Sequence, residues 1–254
     1  MDSFDTRITV AFDLILRGFA HLERSLHPVE ERQSGPVRYL HWPERGRRGA
    51  EFSEEFFALD LDPDTVLTAV QSVGPGRDYL IAEVAARTQP AREAYFAAGY
   101  EHGSEEPLML AELTDANSTP LPQFPVRRPG SMADVERILA AHRSVGYPER
   151  LFSQAQLDDP GIVIRVAFAG YDLVALGKMA LLDTGAYITD VMTMPDYRRQ
   201  GWGEAIVRQL HADARAAGLT QSALTSTAMA QSLYERLGYQ AVGVVTLYVT
   251  PEHE

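Results

Sequence analysis

The stretch Pro195-Asp-Tyr-Arg-Arg-Gln-Gly-Trp-Gly-Glu-Ala-Ile206 decides how this chain is read. It lies between a predicted strand, Ala186-Tyr-Ile-Thr-Asp-Val-Met-Thr193, and a predicted helix from Gly203 to Ala217, which Gly218 stops. Gly201 and Gly203 permit a backbone path that bares successive N–H groups. The helix start adds the positive end of its dipole, and Arg198 and Arg199 bring cationic side chains. Such a turn is an anion cradle suited to a diphosphate. Two rival readings fail on composition. The dinucleotide fingerprint needs Gly or Ala where this chain has Ile206, and the nucleotide P-loop needs a Gly-Lys-Ser/Thr that is absent.

The pattern around the cradle predicts its surroundings. Ser131 is placed to cap a helix running to about Arg143, with Val135, Ile138 and Leu139 on one face. Three strand-like runs follow, 162–168, 173–182 and 186–193, separated by Ala-Gly-Tyr-Asp and Asp-Thr-Gly turns, and they read as antiparallel. Beyond the cradle helix come a strand at 222–226, a helix capped by Ser226 or Thr227 and ended at Gly238, and a β-branched strand from Val242 to Val249.

Arg198-x-x-Gly201-x-Gly203 after a strand ending at Pro195, followed by Ala230-Gln-Ser-Leu-Tyr-Glu-Arg-Leu-Gly-Tyr239, resembles the GCN5-related N-acetyltransferase (GNAT) superfamily over roughly 126–250. The resemblance implies an α+β fold with a mixed, mainly antiparallel sheet flanked by helices. It also implies acetyl-CoA as co-substrate, its pyrophosphate held by Arg198, Arg199, Gln200, Gly201, Trp202 and Gly203, and its pantetheine arm along Val191, Met192 and Thr193. The implied reaction is direct transfer of the acetyl group to a primary amine of a small molecule or peptide in a ternary complex. The competing class is a non-catalytic acyl-CoA-binding or regulatory module.

An amine must lose a proton before it attacks, and the departing thiolate benefits from an acid. By the resemblance, Tyr234 is the acid; the other reading is a packing residue of its helix. Thr227 stands where many members have an asparagine that touches the cofactor arm, and a helix cap is its other role. Asp190 is the candidate base, the alternatives being a residue that caps a bulge or faces solvent. The seven histidines show no zinc spacing, so no metal is expected.

The first half carries a worn echo of the second. Ala91-Arg-Glu-Ala-Tyr-Phe-Ala-Ala-Gly-Tyr100 matches 230–239 at Ala, Tyr, Gly and Tyr, an offset of 139 (230 minus 91). Leu59-Asp-Leu-Asp-Pro-Asp64 resembles Val191–Asp196 at an offset of 132 (195 minus 63). After Pro63-Asp64 no glycine or arginine follows, and Asp60, Asp62 and Asp64 would repel phosphate. The expectation is therefore two tandem GNAT-like domains. Residues 1–113 would form a degenerate copy without a CoA phosphate loop, 114–125 a proline-bearing extended linker, and 126–254 the acetyl-CoA-binding domain.

Composition narrows the remaining classes. Residues 1–125 hold 11 basic and 21 acidic residues (net -10), and 126–254 hold 12 and 14 (net -2). A chain of net charge -12 without a basic stripe argues against nucleic acid; the acidic first half reads either as a solvated surface that aids solubility or as part of the pocket for a cationic amine. No apolar run approaches the ~20 residues a membrane span needs, and the start MDSFDTRITVAFD lacks a basic n-region before an apolar stretch. With no cysteine, these features suggest a cytoplasmic, membrane-free protein whose oligomeric state is open.

Overall fold

The computed structural model describes residues 6–44, 52–74, 79–86, 92–146 and 152–250. The first half contains helix α1 (Thr6–Arg24) and strands β1 (Glu30–Ser34), β2 (Val37–His41) and β3 (Glu54–Leu59). Helix α2 (Pro63–Val73), β4 (Tyr79–Ala85), α3 (Arg92–Ala97) and β5 (Glu101–Glu112) follow. After the single-turn helix α4 (Asp115–Ser118) come α5 (Met132–Ser144), α6 (Gln154–Asp158), β6 (Ile162–Ala169), β7 (Asp172–Leu181) and β8 (Ala186–Thr193). The chain continues with α7 (Trp202–Ala216), β9 (Gln221–Thr225), α8 (Gln231–Arg236) and β10 (Gln240–Val249).

The ten strands of the described residues form one sheet in the order β1-β2-β3-β4-β10-β5-β9-β8-β7-β6. Only β3–β4 and β8–β9 run parallel; every other neighbouring pair is antiparallel. The order reads the same from either edge when β1–β5 are exchanged for β6–β10. The last strand of each half therefore lies in the other half's portion of the sheet. Tyr248 of β10 packs against Tyr95 of α3 with ring centroids 4.2 Å apart within the first-half core, and Met109 and Ala111 of β5 join the core beneath α7.

The sequence reading divides the chain at 114–125, but the sheet runs across that division. Strand exchange leaves no mark on hydrophobic periodicity, because a strand alternates in the same way whichever neighbour it pairs with. The connector is not wholly extended, since Asp115–Ser118 is helical. Asn117 Nδ2 donates to the carbonyls of Glu112 (2.8 Å) and Leu237 (3.1 Å), tying the segment to the body. One helical turn is too short to register as a 3.6-residue period.

Ser131 caps α5 by accepting from the Asp134 N–H, and β6, β7 and β8 are antiparallel neighbours, as their turn spacing implies. The helix expected to begin at Ser226 or Thr227 instead starts at Gln231, with Ala230 as its N-cap and no side-chain cap. The strand before the cradle ends at Thr193, and Pro195–Tyr197 forms a 3-10 turn. Helix α1 belongs to the first half but packs across the shared sheet. A Cβ at Gly18 would stand 2.3 Å from Tyr187 Cβ of β8, so only glycine permits that approach.

Candidate active site

Strands β8 and β9 pair only at Ala186↔Ser222 and Tyr187↔Ala223 and then part. β8 continues beside β7, with Met192 opposite Leu176 and Thr193 opposite Ala175, whereas β9 continues beside β5. The parting exposes one backbone edge of Val191, Met192 and Thr193. An open strand edge can pair with an extended amide chain. The gap is a cavity of about 240 Å³ whose lining includes Asp190, Val191, Met192, Thr227 and Tyr234. The structure thus brings these five candidate residues to one place.

At the open end of β8 the chain turns into α7. Gly201 is the N-cap at φ 90°, a left-handed conformation that favours glycine, and no side chain caps the helix. The first N–H groups of a helix lack intrahelical acceptors, so this start presents main-chain donors that no side chain caps. Arg198 donates from Nε to the Thr193 carbonyl (3.1 Å) and Gln200 from Nε2 to the Asp196 carbonyl (3.0 Å), which brace the turn. Arg199 also adopts positive φ, at 60°. Trp202 packs edge-on against Phe124 of the connector at 4.7 Å, so the 114–125 segment supports the turn.

Asp190 sits in a β-bulge. Asp190 and Val191 together oppose Gly177, because Leu176 pairs with Met192 while Lys178 pairs with Thr189. Its φ of 52° is rare for a non-glycine residue. Asp190 Oδ2 receives Lys178 Nζ at 3.2 Å. Lys178 is 1% exposed and lies 4.4 Å from the Phe152 ring centroid. Burial lowers its pKa, and Asp190 opposes that shift. His142 of α5 also lines the cavity, its pKa lowered by burial and then by Lys178.

Tyr234 is 6% exposed and packs edge-on against Tyr239 at 5.6 Å. Burial pushes its phenol up to about 12, so it keeps its proton at neutral pH and has one to give. Thr227 contributes its carbonyl, which accepts from the Ala230 N–H at 3.0 Å and the Gln231 N–H at 3.2 Å. Among the described residues no group of three or more His, Asp or Glu is placed to hold a metal ion, and no helix is long and apolar enough to cross a membrane.

Sequence reasoning did not single out Lys178, His142 or Glu106 as site residues. Lys178 carries a visible signal, being the lone lysine among 23 basic residues and set in an apolar strand. Glu106 carries none, since it belongs to β5 and reaches the cavity only because that strand lies beside β9.

Residues 160–241 match the family model described as "Acetyltransferase (GNAT) domain". A GCN5-related N-acetyltransferase from Kribbella flavida is 20% identical, with a TM-score of 0.67 over 97% of this chain and 96% of that one. A second from Sphaerobacter thermophilus is 14% identical, with a TM-score of 0.60 over 88% and 84%. A GCN5-related N-acetyltransferase-like protein from Streptococcus suis is 14% identical, with a TM-score of 0.55 over 95% and 98%. Comparison with curated proteins gave no match. Residues 160–241 therefore carry a GNAT acetyltransferase domain, within a chain whose α+β fold is GNAT-like over nearly its whole length.

Proposed function

We propose that the protein is an N-acetyltransferase that moves an acetyl group from acetyl-CoA to a primary amine by direct attack in a ternary complex. The observation that carries this reading is the parting of β8 from β9 directly before the uncapped start of α7. A strand edge for an amide-bearing arm and bare main-chain donors for a diphosphate lie in sequence order, which is how coenzyme A presents those groups. The residues fit it: Gly201 to Gly203 leave the helix start clear, and Val191 to Thr193 offer the edge. Acetyl-CoA supplies the thioester carbonyl that the amine attacks.

In this reading the Met192 main chain polarises that carbonyl as it becomes an oxyanion, and Tyr234 protonates the sulfur that leaves. The cavity admits an amine nitrogen beside Asp190, Thr227 and Tyr234. Two measurements test the proposal. Calorimetry should detect CoA binding, and thiol release should depend on an added amine from a panel of alkylamines, diamines and lysine peptides. CoA bound tightly, with no thiol released by any amine, would favour a binding or regulatory module. Absence of binding would remove the CoA assignment itself.

A further inference from the structure

Glu106 belongs to the first half by sequence and to the second half's cavity by position. It lies on β5 opposite Val245 of β10, two residues before β5 joins β9 at Leu108↔Thr225. Glu106 is partly buried, lines the same cavity as Tyr234 and Asp190, and makes no hydrogen bond or ion pair among the described residues. The other carboxylate there, Asp190, is engaged by Lys178 at 3.2 Å. A proton arriving on Glu106 displaces no contact, whereas one arriving on Asp190 Oδ2 must disturb that pair.

Resting on the acetyl-transfer reading, we propose that Glu106 is the general base for the reaction of the second half, and that the acceptor amine enters as an ammonium which this carboxylate receives. The acidic first half thus contributes one defined group to the site. The Glu106 carboxylate takes a proton from the R–NH3+ nitrogen, leaving a neutral amine. That nitrogen forms a bond to the acetyl carbonyl carbon, the carbon–sulfur bond breaks, and the electron pair leaves with sulfur. Tyr234 gives its phenol proton to the sulfur, and the resulting phenolate takes the second proton from the new amide nitrogen. The net proton rests on Glu106 and passes to solvent, so the site returns to its starting charge. The other titratable groups lining this cavity are Asp190 of β8, His142 of α5 and Tyr234 of α8, with Lys178 behind Asp190; buried Tyr187 of β8 interacts electrostatically with Asp190, Glu106 and Glu55.

The test uses the full chain and the primary amine that it turns over fastest in the panel. Glu106→Gln should lower kcat/KM at pH 7 by about 100-fold or more, the lower end of the usual range for losing a positioned base. The deficit should shrink as rising pH deprotonates the amine in solution. CoA affinity by calorimetry should be unchanged. Affinity of the same amine for the CoA-bound protein should fall about tenfold or more, because a charge-assisted hydrogen bond is lost. Glu106→Asp, which keeps the carboxylate, should recover part of both losses and guards against a folding artefact. A Glu106→Gln protein with the wild-type pH profile and amine affinity would overturn this assignment alone. A wild-type protein that binds CoA but releases no thiol with any amine would overturn the transfer reading and the assignment with it.

Discussion

The two halves share a strand order and differ where it matters for a cofactor. In the second half the parallel pair β8–β9 holds for two residue pairs and then opens; in the first, the matching pair β3–β4 stays zipped over six, from Glu54↔Tyr79 to Leu59↔Val84. The helix after β8 begins at a bare glycine. The helix after β3 begins at Asp62, whose carboxylate accepts from the N–H groups of Asp64 (3.2 Å) and Thr65 (3.1 Å). The first half fills its anion site with its own aspartate and closes the slot beside it. Similarity of fold therefore says little about whether a site is present; a few residues at one strand end and one helix start decide it.

That contrast can be broken by substitution. Gly203→Val places a branched side chain where an added Cβ alone would stand 3.3 Å from Leu233 Cδ2 and 3.5 Å from Thr193 Oγ1. It should weaken CoA binding at least about 100-fold by calorimetry. Asp64→Val, at the same second helical position of α2, should leave that affinity unaltered. An unchanged constant for Gly203→Val would remove the cradle from α7.

Acid should separate the helices next. His211 on α7 is fully buried between the Asn117 carbonyl (3.0 Å from Nδ1) and the Tyr239 hydroxyl (2.9 Å from Nε2), and α2 carries no histidine. Burial lowers its pKa from 6.5 to about 4. The folded state therefore favours neutral imidazole. This stability is present above the unfolded pKa and is lost as pH falls from about 6.5 toward about 4, an effect of about 3 kcal/mol. Denaturant midpoints across that window should fall for the wild type and less for His211→Gln. Amide exchange should rise in α7 before α2.

The paired tyrosines offer a smaller contrast. Tyr234 faces the cavity, while its sequence counterpart Tyr95 is sealed in the first-half core with a hydroxyl that has no hydrogen-bond partner among the described residues. Tyr234→Phe should lower turnover about tenfold or more while leaving CoA affinity intact. Tyr95→Phe should leave turnover unchanged and alter stability by no more than about 1 kcal/mol, in the stabilising direction, since it removes an unsatisfied polar group. An equal effect of both on turnover would make Tyr234 a packing residue. Last, Asp62→Ala should lower the thermal unfolding midpoint slightly through the lost cap without creating CoA affinity.

The second half was legible because its signals are local. Gly201 and Gly203 specify a turn, Ser131 a cap, and Ala-Gly-Tyr-Asp a break between strands, each acting on neighbours within a few residues. The first half was legible only where it echoed the second, at Leu59–Asp64 and Ala91–Tyr100. Apart from the β1–β2 hairpin closed at Ser34↔Val37, its strands pair across separations that no short pattern records. His142 and Glu106 carry no local signal because their places at the cavity depend on what faces them across the sheet, whereas Lys178 stands out as the lone lysine.

By itself the sequence determined the glycine turn, the strand before it, the tyrosine after it and the uneven charge of the halves, because local backbone chemistry and side-chain inventory act at short range. The tertiary structure alone decided that one sheet spans both halves, that β5 and β10 lie in each other's half, and that β8 parts from β9 while β3 stays with β4. Those outcomes depend on competition between distant strands for the same hydrogen-bonding edges. Such competition is settled by packing over the whole sheet, and no single segment encodes its result.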